Sequence, residues 1–194
     1  EILQACPRVK ALVTSRARLN LMGEVLLPVS GMPIPPDLPM DRQAALELSG
    51  VRLFVEGARR VIPGFEPGEE DLGVILDICR KLEGLPLSIL LAAAWMRLLS
   101  PAEIASQIEQ HCLDFLESPS PDLPERQRSL RAVFDHSWRL LDEHERRLSA
   151  CLSVVRGGFS LEAARQVCGA TLPDLARLAD QSFLNRTAGG RCEL

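Results

Sequence analysis

The sequence predicts a mainly α-helical fold, divided by two proline-rich breaks and closed by a small β-hairpin. Three observations carry that expectation. Apolar residues recur at intervals of three and four over most of the chain. Start and stop signals bracket those stretches, and a glycine turn between two short β-prone runs ends the sequence. With 194 residues, 46% of them hydrophobic and 25% charged, the chain can bury the core of one domain or of two small ones. The net charge of −4 gives no global field toward nucleic acid or an anionic membrane. Basic character is nearly all arginine, with Lys10 and Lys81 the only lysines.

Residues 1 to 30 read as the tail of a helix, a stop at Pro7, a buried strand over 10–15 and a second β-like run, Val25 to Val29. The first strand delivers Thr14, Ser15 and Arg16 at its tip. The segment 31–40, GMPIPPDLPM, holds four prolines in ten residues and reads as an extended linker. From Asp41 to Leu116 the pattern is helical. Ile75, Ile78, Cys79 and Leu82 share a face, Gly84 stops that helix, and Pro86 opens a very apolar one running to Leu99. Ser100-Pro101-Ala102-Glu103 is a capping box with proline at the first helical position, and Leu99 and Ile104 are spaced for the hydrophobic staple.

A second break, ESPSPDLPE over 117–125, precedes a third unit. There Leu130, Val133, Phe134, Ser137, Trp138 and Leu141 mark one helix. Asp142 and Glu145 cap the next, whose apolar face is Leu148, Cys151, Leu152 and Val155. Gly157-Gly158 turns the chain, Ser160 starts a short helix to Val167, and Pro173 to Phe183 gives a fourth. Residues 184–187 and 191–194 then pair around Gly189-Gly190 as a hairpin. Helices followed by a small hairpin is the plan of a winged helix.

Six cysteines, Cys6, Cys79, Cys112, Cys151, Cys168 and Cys192, are scattered without a CxxC pair. They read as small core residues in a reducing cytoplasm, not as a disulfide frame or zinc site. His111 and Cys112 are adjacent on a helix and point about 100° apart, a poor chelate; His136 and His144 have no ligand at metal spacing, so no metal is expected. The longest apolar stretch, Leu85 to Met96, falls short of the ~20 residues a membrane span needs.

Three segments, LVTSRARL (12–19), CRKLEGLPLSILLAAAWMRLLSP (79–101) and SLRAVFDHSWRLLDEHERRLSACLSVVRGGFSLEAARQVCG (129–169), resemble the AP-ATPase (NB-ARC) branch of the STAND signalling ATPases. The closest likeness is to members found in bacterial AfsR-like and LuxR-like regulators, and it covers almost the whole chain in the family's order. The resemblance implies a fold in three parts. Residues 1–30 are the last strands of an α/β P-loop nucleotide-binding domain, 41–116 a helical-bundle domain and 126–194 a winged helix, joined by linkers at 31–40 and 117–125. Thr14-Ser15-Arg16 matches the sensor-1 motif, whose arginine faces the γ-phosphate; a guanidinium is permanently charged and forks onto phosphate oxygens. Gly84-Leu85-Pro86-Leu87 matches the GLPL motif, which packs near the adenine. The same residues also serve simply as a helix stop followed by a helix start. Leu90 stands where the family commonly has glutamate.

No GxxxxGK[ST] motif and no apolar strand ending in paired acids occur in the chain. Family order puts both before Glu1, and the family's MHD-like histidine after Leu194. The expectation is therefore a portion of an ATP/ADP switch, with Mg²⁺, that hydrolyses nothing by itself while its parent is a slow ATPase. Its implied partners are the upstream P-loop domain of the same protein, further copies in the ATP state and downstream sensor repeats. The alternative is a winged helix that binds DNA or protein without a nucleotide role. Charge weighs against DNA. From 125 to 194, eleven arginines meet nine acids, and the segment in the recognition position, PDLARLADQSF, has one arginine against Asp174 and Asp180.

Overall fold

The computed structural model describes residues 8–35, 41–117, 128–155, 157–187 and 190–194. The helix tail expected over residues 1–6 lies outside them. The described residues are mainly helical, with one two-stranded antiparallel sheet, and they divide into two compact units. Among the described residues, no helix is long and apolar enough to cross a membrane.

The first unit spans Pro28–Leu140. Helix α1 (Arg42–Glu47) starts at Asp41, whose carboxylate accepts the Ala44 N–H at 2.7 Å. Helix α2 (Ser49–Val61) follows after a single residue, and α3 (Glu69–Lys81) opens with Asp71 accepting the Gly68 N–H at 3.0 Å. Three acids in its first turn and Arg80 and Lys81 in its last complement the helix dipole. Helix α4 (Pro86–Ala94) runs into a 3-10 turn, Trp95–Arg97, short of the expected Leu99. Helix α5 (Pro101–Phe115) begins at the predicted Ser100–Glu103 capping box and breaks helical geometry at His111. Helix α6 (Leu130–Leu140) closes the unit.

The core of this unit is a continuous cluster including Val51, Phe54, Ile75, Ile78, Ile89, Ile104 and Leu116. Helices α2 and α4 approach closely because Gly57 has no side chain: a Cβ there would lie 2.9 Å from that of Ala93. Trp95 stacks on Phe115 with ring centroids 5.1 Å apart, and its Nε1 donates to the Phe115 carbonyl at 3.0 Å, tying the 3-10 turn to the C-terminal end of α5. Truncating a side chain as large and buried as Phe54 costs about 3–5 kcal/mol.

The second unit combines the N-terminal segment up to Leu27 with Leu141–Leu194. Helix α7 (Glu143–Leu152) is followed by α8 (Leu161–Cys168), then by Gly169-Ala170-Thr171, with Gly169 left-handed at φ +68, and α9 (Leu172–Asp180). Strands β1 (Asn185–Arg186) and β2 (Cys192–Glu193) pair Asn185 with Glu193 and Arg186 with Cys192. Phe159 bonds back to Cys192 in both directions at 2.8 Å, which anchors the hairpin to the helices. Leu141, Leu148, Leu152, Phe159, Leu175, Leu178 and Leu184 are among its buried apolar residues.

Two expectations, the strands near the N-terminus and the free cysteines, are corrected. Residues 8–35 contain no strand, so neither 10–15 nor 25–29 is one; Leu12, Met22, Val25 and Val29 are each more than 90% exposed. A strand needs a neighbour for its backbone groups, and none pairs with this segment among the described residues. The helix at Leu130–Leu140 belongs to the first compact unit, where α6 packs on α5 and Glu117 pairs with Ser129. The cysteines are not all thiols: Cys151 and Cys168 are joined as a disulfide. That pairing follows from the approach of α7 and α8, which a spacing of 17 residues does not disclose.

Candidate functional site

The residues singled out by the sequence fall in both units. Thr14, Ser15 and Arg16 are exposed and lie in the second. Ser15 bends the chain locally: its hydroxyl donates to the Ala17 carbonyl at 2.6 Å and accepts the Ala17 N–H at 3.1 Å. The segment is then tied to the end of α9. The Ser182 hydroxyl donates to the Arg16 carbonyl, and the Arg18 N–H donates to the Asp180 carbonyl at 2.9 Å. The Arg18 guanidinium also lies 3.3 Å from the Asp180 carboxylate. Ser182 can present its hydroxyl because it takes the left-handed conformation, φ +60, that ends α9.

Gly84, Leu85, Pro86 and Leu87 belong to the first unit. Gly84 is buried at φ +66, Glu83 before it at φ +52, and Pro86 is the first residue of α4. The Gly84 carbonyl accepts the Met32 N–H at 2.8 Å, so the 28–35 segment crosses the α3–α4 turn at backbone contact. Leu85 is 43% exposed, whereas Ser88 one turn on is buried, with its hydroxyl unpartnered. Leu90, in the place of the family's glutamate, is half-buried on α4.

The sequence did not disclose a charged network in the second unit. Glu145 and Asp174 are both buried carboxylates. Each closes a capping box: Glu145 accepts the Asp142 N–H at 2.9 Å, and Asp174 accepts the Thr171 N–H at 3.0 Å and its hydroxyl at 2.6 Å. Arg177 joins them, 2.9 Å from Asp174 and 3.7 Å from Glu145, while His144 reaches Asp174 at 3.2 Å and Gln181 reaches Glu145 at 3.3 Å. The Thr171 hydrogen bonds, reinforced by His144 and Arg177, hold the Asp174 carboxyl well below its usual range. Only the Asp142–Glu145 half was visible in sequence; the Thr171-x-x-Asp174 pattern was the available signal for the other. Chemically this is a clasp between α7 and α9, and it holds the half-exposed guanidinium of Arg177, the one arginine of α9, against two carboxylates.

Fold and sites together define a class: a mainly helical protein whose second unit carries two helices joined by a three-residue turn and followed by a hairpin. No family model matches the chain, and no solved structure matches it. The chain is similar to "Putative HTH-type transcriptional regulator Rv0890c" of Mycobacterium tuberculosis, 36% identical over 184 residues. That similarity covers 95% of this chain and 19% of the relative. A second relative from the same species, "Uncharacterized protein Rv0894", is 33% identical over 192 residues, covering 94% of this chain and 45% of its own length. The chain thus spans less than half the length of either relative.

Proposed function

We propose that this chain is a portion of an ATP/ADP-dependent signalling switch of the STAND type, in a bacterial transcriptional regulator of the cytoplasm. The observation that carries the reading is the attachment of Arg16–Arg18 to the end of α9 through Ser182 and Asp180. On this reading Arg16 meets the γ-phosphate held, with Mg²⁺, by a P-loop domain of the same protein. Any displacement of the Arg16 backbone then pulls on the helix that it is bonded to. The second unit acts as a winged helix, the first as the helical domain with Leu85 and Pro86 toward the adenine. Nucleotide shifts the balance of closed and open forms only by its differential affinity for them, with ATP favouring opening and self-association. The regulatory half of the reading is supported by the name of the 36% identical relative.

The test is a titration of labelled ADP and ATP against this chain, beside one extended through an upstream P-loop domain. Binding by the extended chain alone, with Arg16→Ala blunting the ATP response and sparing ADP, is the expected result. Tight binding by the short chain overturns it.

A second reading, direct binding of duplex DNA, is favoured by the Gly169-Ala170-Thr171 turn between α8 and α9 and by the hairpin that follows. Against it, Arg177 is held by Asp174 and Glu145, and α9 exposes Leu172, Pro173 and Ala176 instead of further cations. Retardation of duplex DNA by this chain at moderate salt, weakened by more salt, would establish that reading.

A further inference from the structure

We propose that Cys151 and Cys168 are a reversible oxidation site, a dithiol–disulfide couple that staples α7 to α8 in answer to peroxide. Cys151 lies in the last turn of α7 and Cys168 is the final residue of α8, with Cα atoms 6.0 Å apart, inside the normal span of a disulfide. Both are only half-buried, so small oxidants and reductants reach them. The other described cysteines are placed otherwise. Cys79 is fully buried in the first unit, where burial pushes its thiol up to about 12. Cys112 is also raised by burial, and Cys192 is buried in the hairpin. Because the thiolate is the reactive form, oxidation is directed to the 151–168 pair.

The chemistry balances with hydrogen peroxide as oxidant. One thiolate attacks a peroxide oxygen; the O–O bond breaks, hydroxide leaves and takes a proton to become water, and a sulfenic acid remains. The second thiolate attacks that sulfur, the S–O bond breaks, and the departing hydroxide takes a proton to become a second water. The two sulfurs lose two electrons and peroxide gains them. A small dithiol reverses the step through a mixed disulfide.

The consequence lies in what the staple joins. Helix α7 carries the buried Glu145 of the clasp, and α8 leads through Gly169-Ala170-Thr171 into α9. The linked residues enclose the Gly157-Gly158 turn, and closing a loop of this length disfavours opening by about 100-fold. Oxidation therefore stiffens the support of α9, whatever α9 goes on to contact.

To test this, the reduced 194-residue chain is treated with limiting hydrogen peroxide, blocked with iodoacetamide and digested with trypsin, which cuts at Arg156 and Arg165 between the two cysteines. Mass mapping is expected to find the Cys151–Cys168 link first, and dithiothreitol to remove it. Amide exchange in α8 is expected to be about 100-fold slower in the oxidised chain. A first link through any other cysteine, Cys6 included, overturns the proposal. So does sulfinic acid at Cys151 without a link, or equal exchange in the two redox states. In Cys168→Ser the peroxide-dependent slowing should vanish; its persistence also overturns the proposal.

Discussion

Met32 and Gly84 cross at backbone contact. The Met32 N–H donates to the Gly84 carbonyl at 2.8 Å, and a Cβ on Gly84 would lie 2.1 Å from the Met32 carbonyl oxygen. Gly84 is also left-handed, at φ +66. Gly84→Ala therefore meets a conformational penalty of about 1–2 kcal/mol as well as a backbone clash. We expect a loss of at least about 2 kcal/mol in urea unfolding. Glu83→Gly, relieving φ +52, should be neutral or stabilising by up to about 1 kcal/mol. Leu85→Ala, at a 43% exposed position, should cost under about 1 kcal/mol. A mild Gly84→Ala would remove the steric account of this turn.

Ser88 sits inside the same region with a buried hydroxyl that has no hydrogen-bond partner. An unsatisfied buried polar group costs about 1–3 kcal/mol. Ser88→Ala deletes that group and leaves little space, so its urea midpoint should rise. A midpoint that falls would mean that the hydroxyl finds a partner in solution.

Glu145 is the inner member of the clasp. Its removal in Glu145→Ala frees the Asp142 N–H and the Gln181 amide, and takes one carboxylate from Arg177. Loss of the cap and of buried hydrogen bonds together predicts a cost of about 2–3 kcal/mol. Arg177→Ala, whose side chain is half-exposed, should cost less. Equal and negligible losses would show that the clasp contributes nothing to stability.

Asp174 is expected to make the second unit sensitive to acid. Its folded carboxyl titrates below the usual aspartate value because Thr171 donates to it twice, with His144 and Arg177 adding to the effect. The charged form is thus favoured by folding. The stabilisation is complete above the unfolded value, about 3.9, and fades as pH falls through the lower folded value. Urea midpoints measured from about pH 6 down to pH 2 should drop in the native chain and drop less in Asp174→Asn. Parallel curves for the two chains would assign the acid limb to other carboxylates.

Most helices were legible because their ends are written locally. Ser100, Asp142 and Ser160 each accept the backbone N–H three residues on, as their sequence positions predict. The hairpin was legible from its glycines. What failed was non-local. Leu12 and Val13 have the composition of a strand, but composition does not supply a partner for the ladder. The Cys151–Cys168 pair and the Arg177 bridge arise from the approach of separate helices, and no periodicity encodes that approach. Among the site residues, Gly84 and Pro86 were readable as a stop and a start, whereas the anchoring of Arg16 through Ser182, 166 residues away, was not.

That anchoring can be loosened without unfolding the protein. The Arg18–Asp180 pair is exposed, and such pairs contribute about 0–1 kcal/mol, so Asp180→Ala should leave the urea midpoint nearly unchanged. Its effect should be local. Trypsin cleaves after arginine and needs an extended, mobile stretch, which residues 16–18 gain once one of their ties to α9 is gone. Limited proteolysis should therefore cut at Arg16 and Arg18 several-fold faster in Asp180→Ala, and faster still when Ser182→Ala removes the hydroxyl on the Arg16 carbonyl. Because opening at this segment is independent of global unfolding, the acceleration should persist at temperatures far below the melting transition. Unchanged cleavage in the double variant would show that the Arg16 segment is not held by the end of α9, and would leave the nucleotide reading without its mechanical link.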